Sequence, residues 1–279
     1  MPDSTNTTIL ASAVASDPQW QMHMGERFAL EGILATLKPK LAIEIGRAEG
    51  GSLRRIATHS GHVHSFDLVP EPDALRDELD NVTFHTGDSS VQVPEFLASL
   101  AEAGENVDFV LVDGDHSSEG VKRDALALLE SPACRNTTIV FHDAANDDVR
   151  RGLDEVDFAS HPNVALSMLD FVAGFLVEKG PYAMHIWNGL GVVVLDNGER
   201  EGDVIVEAWR FDASDVLRRA RASMTAPPAA AAPPAAPAHA PEATPVPAPE
   251  AKSRLRVAAL AGGAAVAALA AGFTAGKRR

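Results

Sequence analysis

Short runs built on Val, Ile, Leu and Phe, separated by polar and glycine-rich turns, dominate the first two thirds of the chain. Leu41-Ala42-Ile43-Glu44-Ile45, His62–Leu68, Val82–His85, Val107–Asp113 and Thr138–Phe141 are each long enough for a buried strand and too short for a helix. Between them lie stretches of helical spacing. Met22–Leu37 stops before Pro39, Ser52 opens a helix after a glycine turn, Asp73–Leu79 is short, and Val91–Ala103 places Pro94 in its first turn. Glu119–Glu130 sets Val121, Ala125, Leu128 and Leu129 on one stripe. Strands alternating with helices at this rhythm predict an α/β fold with a doubly wound, mostly parallel sheet. Beyond Phe158, Val164–Val177 and Gly191–Leu195 read as the last strands, with turn signals at Asn188-Gly189 and Asn197-Gly198.

The first strand runs into Gly46, Gly50 and Gly51, a strand–turn–helix junction where a ligand can approach bare backbone. A dinucleotide turn needs G-x-G-x-x-G. Here the pattern is Glu44-x-Gly46-x-Ala48-x-Gly50, whose acid repels a pyrophosphate and suits a cationic or amine-bearing ligand. Asp67 closes the second strand where such folds place the acid that holds ribose hydroxyls. Every predicted strand ends on polar groups: Glu44, Asp67, Asp88-Ser89, Asp113 with Asp115 and His116, and His142-Asp143. In an open parallel sheet, ligands bind at that edge. Two of these groups have structural readings as well: Asp115 as a helix cap, His142 as a hydrogen-bonded strand end. His59, His62, His64, His85 and His161 read as structural, and Trp187 and Trp209 as core residues, with lining of a substrate pocket as the alternative.

Charge narrows the function. The chain carries a formal −15, and its first 220 residues hold 17 Lys/Arg against 37 Asp/Glu. So acidic a body repels nucleic acid. Cys134 is the single cysteine, which excludes an internal disulfide and a cysteine-built zinc site. The N-terminus has no basic region followed by an apolar core, so a cytoplasmic body is expected. Residues 225–250 hold nine of the 18 prolines and read as an extended linker. Val257–Gly276 is uncharged, and basic residues flank it on both sides. Twenty helical residues span about 30 Å, so a C-terminal membrane anchor is expected, with a surface-lying or unstructured alanine tail as the alternative.

At Glu44–Gly50 the chain resembles the class I S-adenosylmethionine (SAM)-dependent methyltransferases, whose first motif is acid-x-Gly-x-Gly-x-Gly; Ala48 departs from the middle glycine. The segment VDFVLVDGDHSS, followed by IVFHDA, is similar to the macrocin O-methyltransferase-like branch, which methylates hydroxyls of sugars and other small molecules. The resemblance covers Gly25–Leu195. It implies a Rossmann-like sheet with an antiparallel closing strand pair. On it Glu44, Gly46, Gly50 and Ser52 would bind the methionine end of SAM, Asp67 the ribose, and Asp88 and Ser89 the adenine edge, with Asp113 beside them. Asp113, His142 and Asp143 would hold a divalent cation such as Mg²⁺, although His142-Asp143 stands where metal-binding members have two acids. In a metal-free site Asp115 or His116 would be the base. The expected organisation is an extension over 1–24, a methyltransferase domain over 25–222, a Pro/Ala-rich linker over 223–253 and an Ala-rich hydrophobic helix over 254–279. The expected partner is a small-molecule acceptor, with the body tethered to the inner membrane face if the tail is an anchor. A non-catalytic, membrane-tethered SAM-binding module is the alternative, and the missing G-x-G-x-x-G disfavours a nicotinamide dehydrogenase.

Overall fold

The central strands are apolar on both sides because helices cover both sides. A computed structural model of the chain describes residues 19–206 and 213–225, all within one compact unit. The elements run α1 (Met24–Leu37), β1 (Leu41–Ile45), α2 (Gly51–His59), β2 (His62–Asp67), α3 (Asp73–Glu78), β3 (Val82–Thr86), α4 (Ser89–Ala103), β4 (Phe109–Val112), α5 (Ser118–Glu130), β5 (Thr137–Phe141), α6 (Asp147–Asp154), β6 (Val164–Val172), β7 (Phe175–Leu176), β8 (Ile186–Trp187), β9 (Leu190–Leu195) and α7 (Ala213–Thr225).

Seven strands form one sheet in the order β3-β2-β1-β4-β5-β9-β6, and β7 pairs with β8 in a separate two-stranded ribbon. The first five strands are parallel. β9 runs antiparallel to both β5 and β6. This is the expected Rossmann-like sheet with its antiparallel closing pair. Side-chain alternation divides the core between the faces. Ile43, Ile45, Val110, Val112, Ile139 and Phe141 pack with Leu97, Val121, Ala125 and Leu128 of α4 and α5. Ala42, Phe109, Leu111 and Val140 pack with Leu30, Leu34, Leu53 and Ile56 of α1 and α2. Each such side chain, fully buried, contributes about 1.5–3 kcal/mol.

Several boundaries differ from expectation. Asp88 caps α4 by accepting from the Ser90 N–H, so the helix begins at Ser89 and Pro94 lies inside it rather than in its first turn. The single strand expected over Val164–Val177 divides, because β6 carries register shifts against β9 and ends at Val172. Helix α6 has no counterpart in the sequence reading; Asn146 starts it by accepting from the N–H groups of Asp148 and Val149. Helix α7 extends to Thr225, past the expected linker start at 223. The remainder of the linker, the hydrophobic segment after it, most of the 1–24 extension and Trp209 lie outside the described residues. Among the described residues no helix is long and apolar enough to cross a membrane.

Candidate active site

The sheet order reverses between β1 and β4, and the loops leaving these two strands diverge to open a crevice. Gly46 makes their close approach feasible. Its φ is +85°, and a Cβ added there would collide with the Asp113 carbonyl. A cleft of about 630 Å³ opens beside it, lined by Gly46, Ala48, Phe66, Asp67, Asp88, Ser89, Asp113, Asp115, His116 and Arg123. Four carboxylates face one guanidinium there, which favours a cationic ligand over a phosphate. Gly50, with φ +77°, is the N-cap of α2 and bends the turn without lining the cleft.

Asp67 stands at the cleft wall with both oxygens in use. Oδ2 accepts from the N–H groups of Arg47 (2.9 Å) and Ala48 (3.2 Å), and Oδ1 from Val69 (2.8 Å). It therefore fixes the glycine turn against the end of β2. Arg47, which the sequence reading passed over, is buried and donates to the carbonyls of Val69, Ser65 and His85, closing the same corner from beneath.

Glu44 is placed differently from expectation. It points to the α1/α2 side of the sheet, has no solvent exposure, and accepts from Ser52 Oγ (2.7 Å) and Ser65 Oγ (3.0 Å). Burial pushes its pKa up to about 8 against the lowering effect of the two hydroxyls. It offers the cleft no charge, and Ser52 spends its hydroxyl on holding it. Asp115 also departs from the assigned role. Its Oδ1 accepts from the Ser117 N–H at 2.9 Å, and Arg123 lies 3.6 Å from Oδ2. The Ser117 backbone bond holds its pKa below the usual carboxylate range, so it orders the start of α5 and is a poor base.

The chemistry gathers at the ends of β4 and β5. Asp113, His116, His142 and Asp143 each present a ligand atom within 4.8 Å of one another. His142 Nδ1 is 3.0 Å from Asp113 Oδ1 and 3.4 Å from Asp143 Oδ2. His116 Nε2 lies 3.3 Å from Asp113 Oδ1 and 3.1 Å from Asp143 Oδ2, without the alignment of a hydrogen bond. By sequence these residues divide between a metal set and a base; the fold makes them one cluster. Asp143 adopts φ +53°, a left-handed conformation seldom used by non-glycine residues, and the Asn188 N–H donates to its Oδ1 at 2.5 Å. The paired acids hold His116 in its charged form, with the pKa raised to about 10 chiefly by Asp113 and Asp143. His142 is likewise raised well above its ordinary value despite burial, Asp113 being the main opposing influence. Burial notwithstanding, the imidazoles keep Asp113 and Asp143 below the usual carboxylate range.

The carboxylates of Asp113 and Asp143 and the Nδ1 of His142 lie close enough together to fit a divalent cation, and His116 Nε2 stands beside them, buried and without an aligned partner. Trp187, with core packing and pocket lining as its two readings, stands edge-on to His116 with ring centroids 6.1 Å apart, and Tyr182 meets Trp187 at 5.8 Å. Trp187 Nε1 is buried without a partner. Tyr182, in the loop between β7 and β8, carries no such signal in the sequence.

The fold is a Rossmann-like α/β domain whose cleft opens at the carboxyl edge of its sheet. Residues 43–144, from within β1 to just past Asp143, match the family model described as a methyltransferase domain. No curated protein matches the chain in sequence. Among solved structures, cofactor-bound Rv0187 from MTB is 20% identical, with a TM-score of 0.47 over 69% of this chain and 90% of that one. The O-methyltransferase from Bacillus cereus, in complex with SAH, is 18% identical, with a TM-score of 0.46 over 70% and 92%. TomG from Streptomyces achromogenes, an O-methyltransferase of tomaymycin synthesis in complex with SAM, is 16% identical, with a TM-score of 0.44 over 70% and 91%.

Proposed function

We propose that the protein is a SAM-dependent O-methyltransferase acting on a hydroxyl of a small, ring-bearing acceptor. The observation that carries this reading is the junction of two features at one sheet edge. An acidic cleft under a glycine turn adjoins a two-aspartate, two-histidine cluster, and both lie in the segment that matches the methyltransferase domain model. The cleft suits the sulfonium and ammonium of SAM, with Gly46 letting the cofactor lie on backbone and Asp67, Asp88 and Ser89 along its nucleoside end.

In the reaction, the acceptor oxygen attacks the methyl carbon in line with the breaking C–S bond. The sulfur keeps the electron pair and leaves as a neutral thioether, and the hydroxyl proton must go to a base. Positioning supplies much of the rate in such a displacement. His116 borders both the cleft and the cluster and is the residue to take that proton. Flanked by Asp113 and Asp143 it is held protonated and cannot accept one. A divalent cation held by Asp113, His142 and Asp143 would supply positive charge in place of the imidazolium protons and would favour the alkoxide of the acceptor. Trp187 and Tyr182 form a wall beside His116 on which the C–H face of a sugar-like ring can pack, with the unpartnered Trp187 N–H as a donor.

Calorimetric titration of the full chain with SAM and then with NADH tests the cofactor. Saturable SAM binding without NADH binding is expected. NADH binding without SAM binding would overturn the reading.

A further inference from the structure

One buried carboxylate outside the cleft reaches the cluster from the far end of the sequence. Glu26 lies in the first turn of α1 and is 0% exposed. As part of a capping box it accepts from the His23 N–H at 2.9 Å. A cap alone needs no burial, and this one goes further. Oε1 accepts from the Gly189 N–H at 2.6 Å and lies 3.5 Å from His142 Nε2; Oε2 accepts from Asn188 Nδ2 at 2.7 Å. Asn188 in turn donates its backbone N–H to Asp143. Glu26 therefore faces the outer nitrogen of one candidate ligand and holds the residue that holds another.

We propose that Glu26 is a positioning residue of the metal cluster. It orients His142 so that Nδ1 points at Asp113 and Asp143, and through Asn188 it keeps Asp143 in its left-handed conformation. The inference rests on the reading of the cluster as a cation site. A carboxylate behind a metal-binding imidazole fixes the ring and its tautomer, and losing one typically costs about 10–100-fold in metal affinity. Nothing in the sequence neighbourhood of Glu26 signals this, because apart from His23 its partners, His142, Asn188 and Gly189, lie far along the chain.

The test is Mn²⁺ binding by the full chain, followed by electron paramagnetic resonance of the free ion, with thermal melting alongside. Wild-type protein is expected to bind Mn²⁺ and Asp113→Asn to lose it; absence of wild-type binding would overturn the cation reading itself. Glu26→Gln is expected to weaken binding by about 10–100-fold. Glu31→Gln removes another buried acid of α1, one paired with Arg55 and His59 away from the cluster. That variant is expected to melt lower with Mn²⁺ affinity unchanged. Wild-type affinity in a folded Glu26→Gln protein would overturn the inference. Should Glu26→Gln not fold, Asn188→Gly decides. It preserves the positive φ and the N–H to Asp143 but drops the amide on Glu26, and unchanged Mn²⁺ affinity there would overturn the inference equally.

Discussion

His116 Nε2, in the loop leaving β4, lies 3.1 Å from Asp143 Oδ2, at the end of β5. Parallel pairing of β4 with β5 forces this meeting, since Val112 registers with Phe141 and both chains exit at the same edge. If His116 accepts the acceptor's proton, His116→Gln should lower kcat by about 10²–10⁴-fold. SAM affinity should move far less. Steady-state kinetics beside calorimetry separates the two, and full turnover by the variant would remove His116 from the mechanism.

The same pair makes stability depend on pH. His116 has a folded pKa of about 10, above the roughly 6.5 of an unfolded histidine. The folded state thus keeps a proton that the unfolded chain gives up. The resulting stabilisation is complete below about pH 6.5 and is lost as pH rises toward 10. Melting curves of metal-free protein should fall along that limb, and His116→Gln should flatten it. An unchanged slope in the variant would show that the ion pairs contribute nothing in solution.

At the other edge of the sheet, His64 Nδ1 and His85 Nε2 share a hydrogen bond of 2.9 Å, which a proton on both rings would break. Burial, aided by His62 and His85, lowers the pKa of His64 to about 4, and burial with Arg47 lowers that of His85. The unfolded chain protonates near 6.5 while the folded chain resists, so these histidines destabilise the fold as pH falls from about 6.5 toward 4. Urea midpoints of His64→Leu should drop less steeply than wild type across that window. Parallel acid limbs for the two proteins would contradict this.

The sheet from β1 to β5 is legible in the sequence because its strands are short apolar runs ended by glycine or aspartate. The closing part is not. β6 meets β9 through two register shifts, and β7 and β8 are pairs of residues whose identity as strands comes from each other. For the site, residue type was legible and direction was not. Glu44 sits one pleat position out from the cleft, and period-2 alternation sends it to the face that carries Ala42. Asp115 and His116 are neighbours with the same polar character, yet one turns into α5 and the other into the cluster. Glu26 could not be found by pattern at all, as its meaning is a contact with Asn188 and His142.

Gly46→Ala addresses the turn. A side chain at φ +85° costs about 1–2 kcal/mol in backbone strain alone, before the collision with the Asp113 carbonyl. The variant should melt well below wild type and lose SAM binding, because β1 and β4 can no longer close the cleft. Calorimetry and melting together check it; wild-type SAM affinity would mean the turn is not the cofactor's seat.

Glu44→Gln separates the two views of the acid that opens the glycine motif. If Glu44 met the ammonium of SAM as a charge, the amide would lose at least an ion pair and SAM affinity would drop tenfold or more at pH 7. The structure instead buries the side chain beneath Ser52 and Ser65 with a pKa near 8, so it is mostly neutral at pH 7 and the amide replaces like with like. SAM affinity at pH 7 should then stay within a few-fold of wild type. At pH 9 the variant should be the more stable protein. A raised folded pKa means that wild-type stability falls as pH climbs from about 4.5 through about 8, and the amide has no proton to lose. A tenfold loss of SAM binding at pH 7 would return Glu44 to the cofactor.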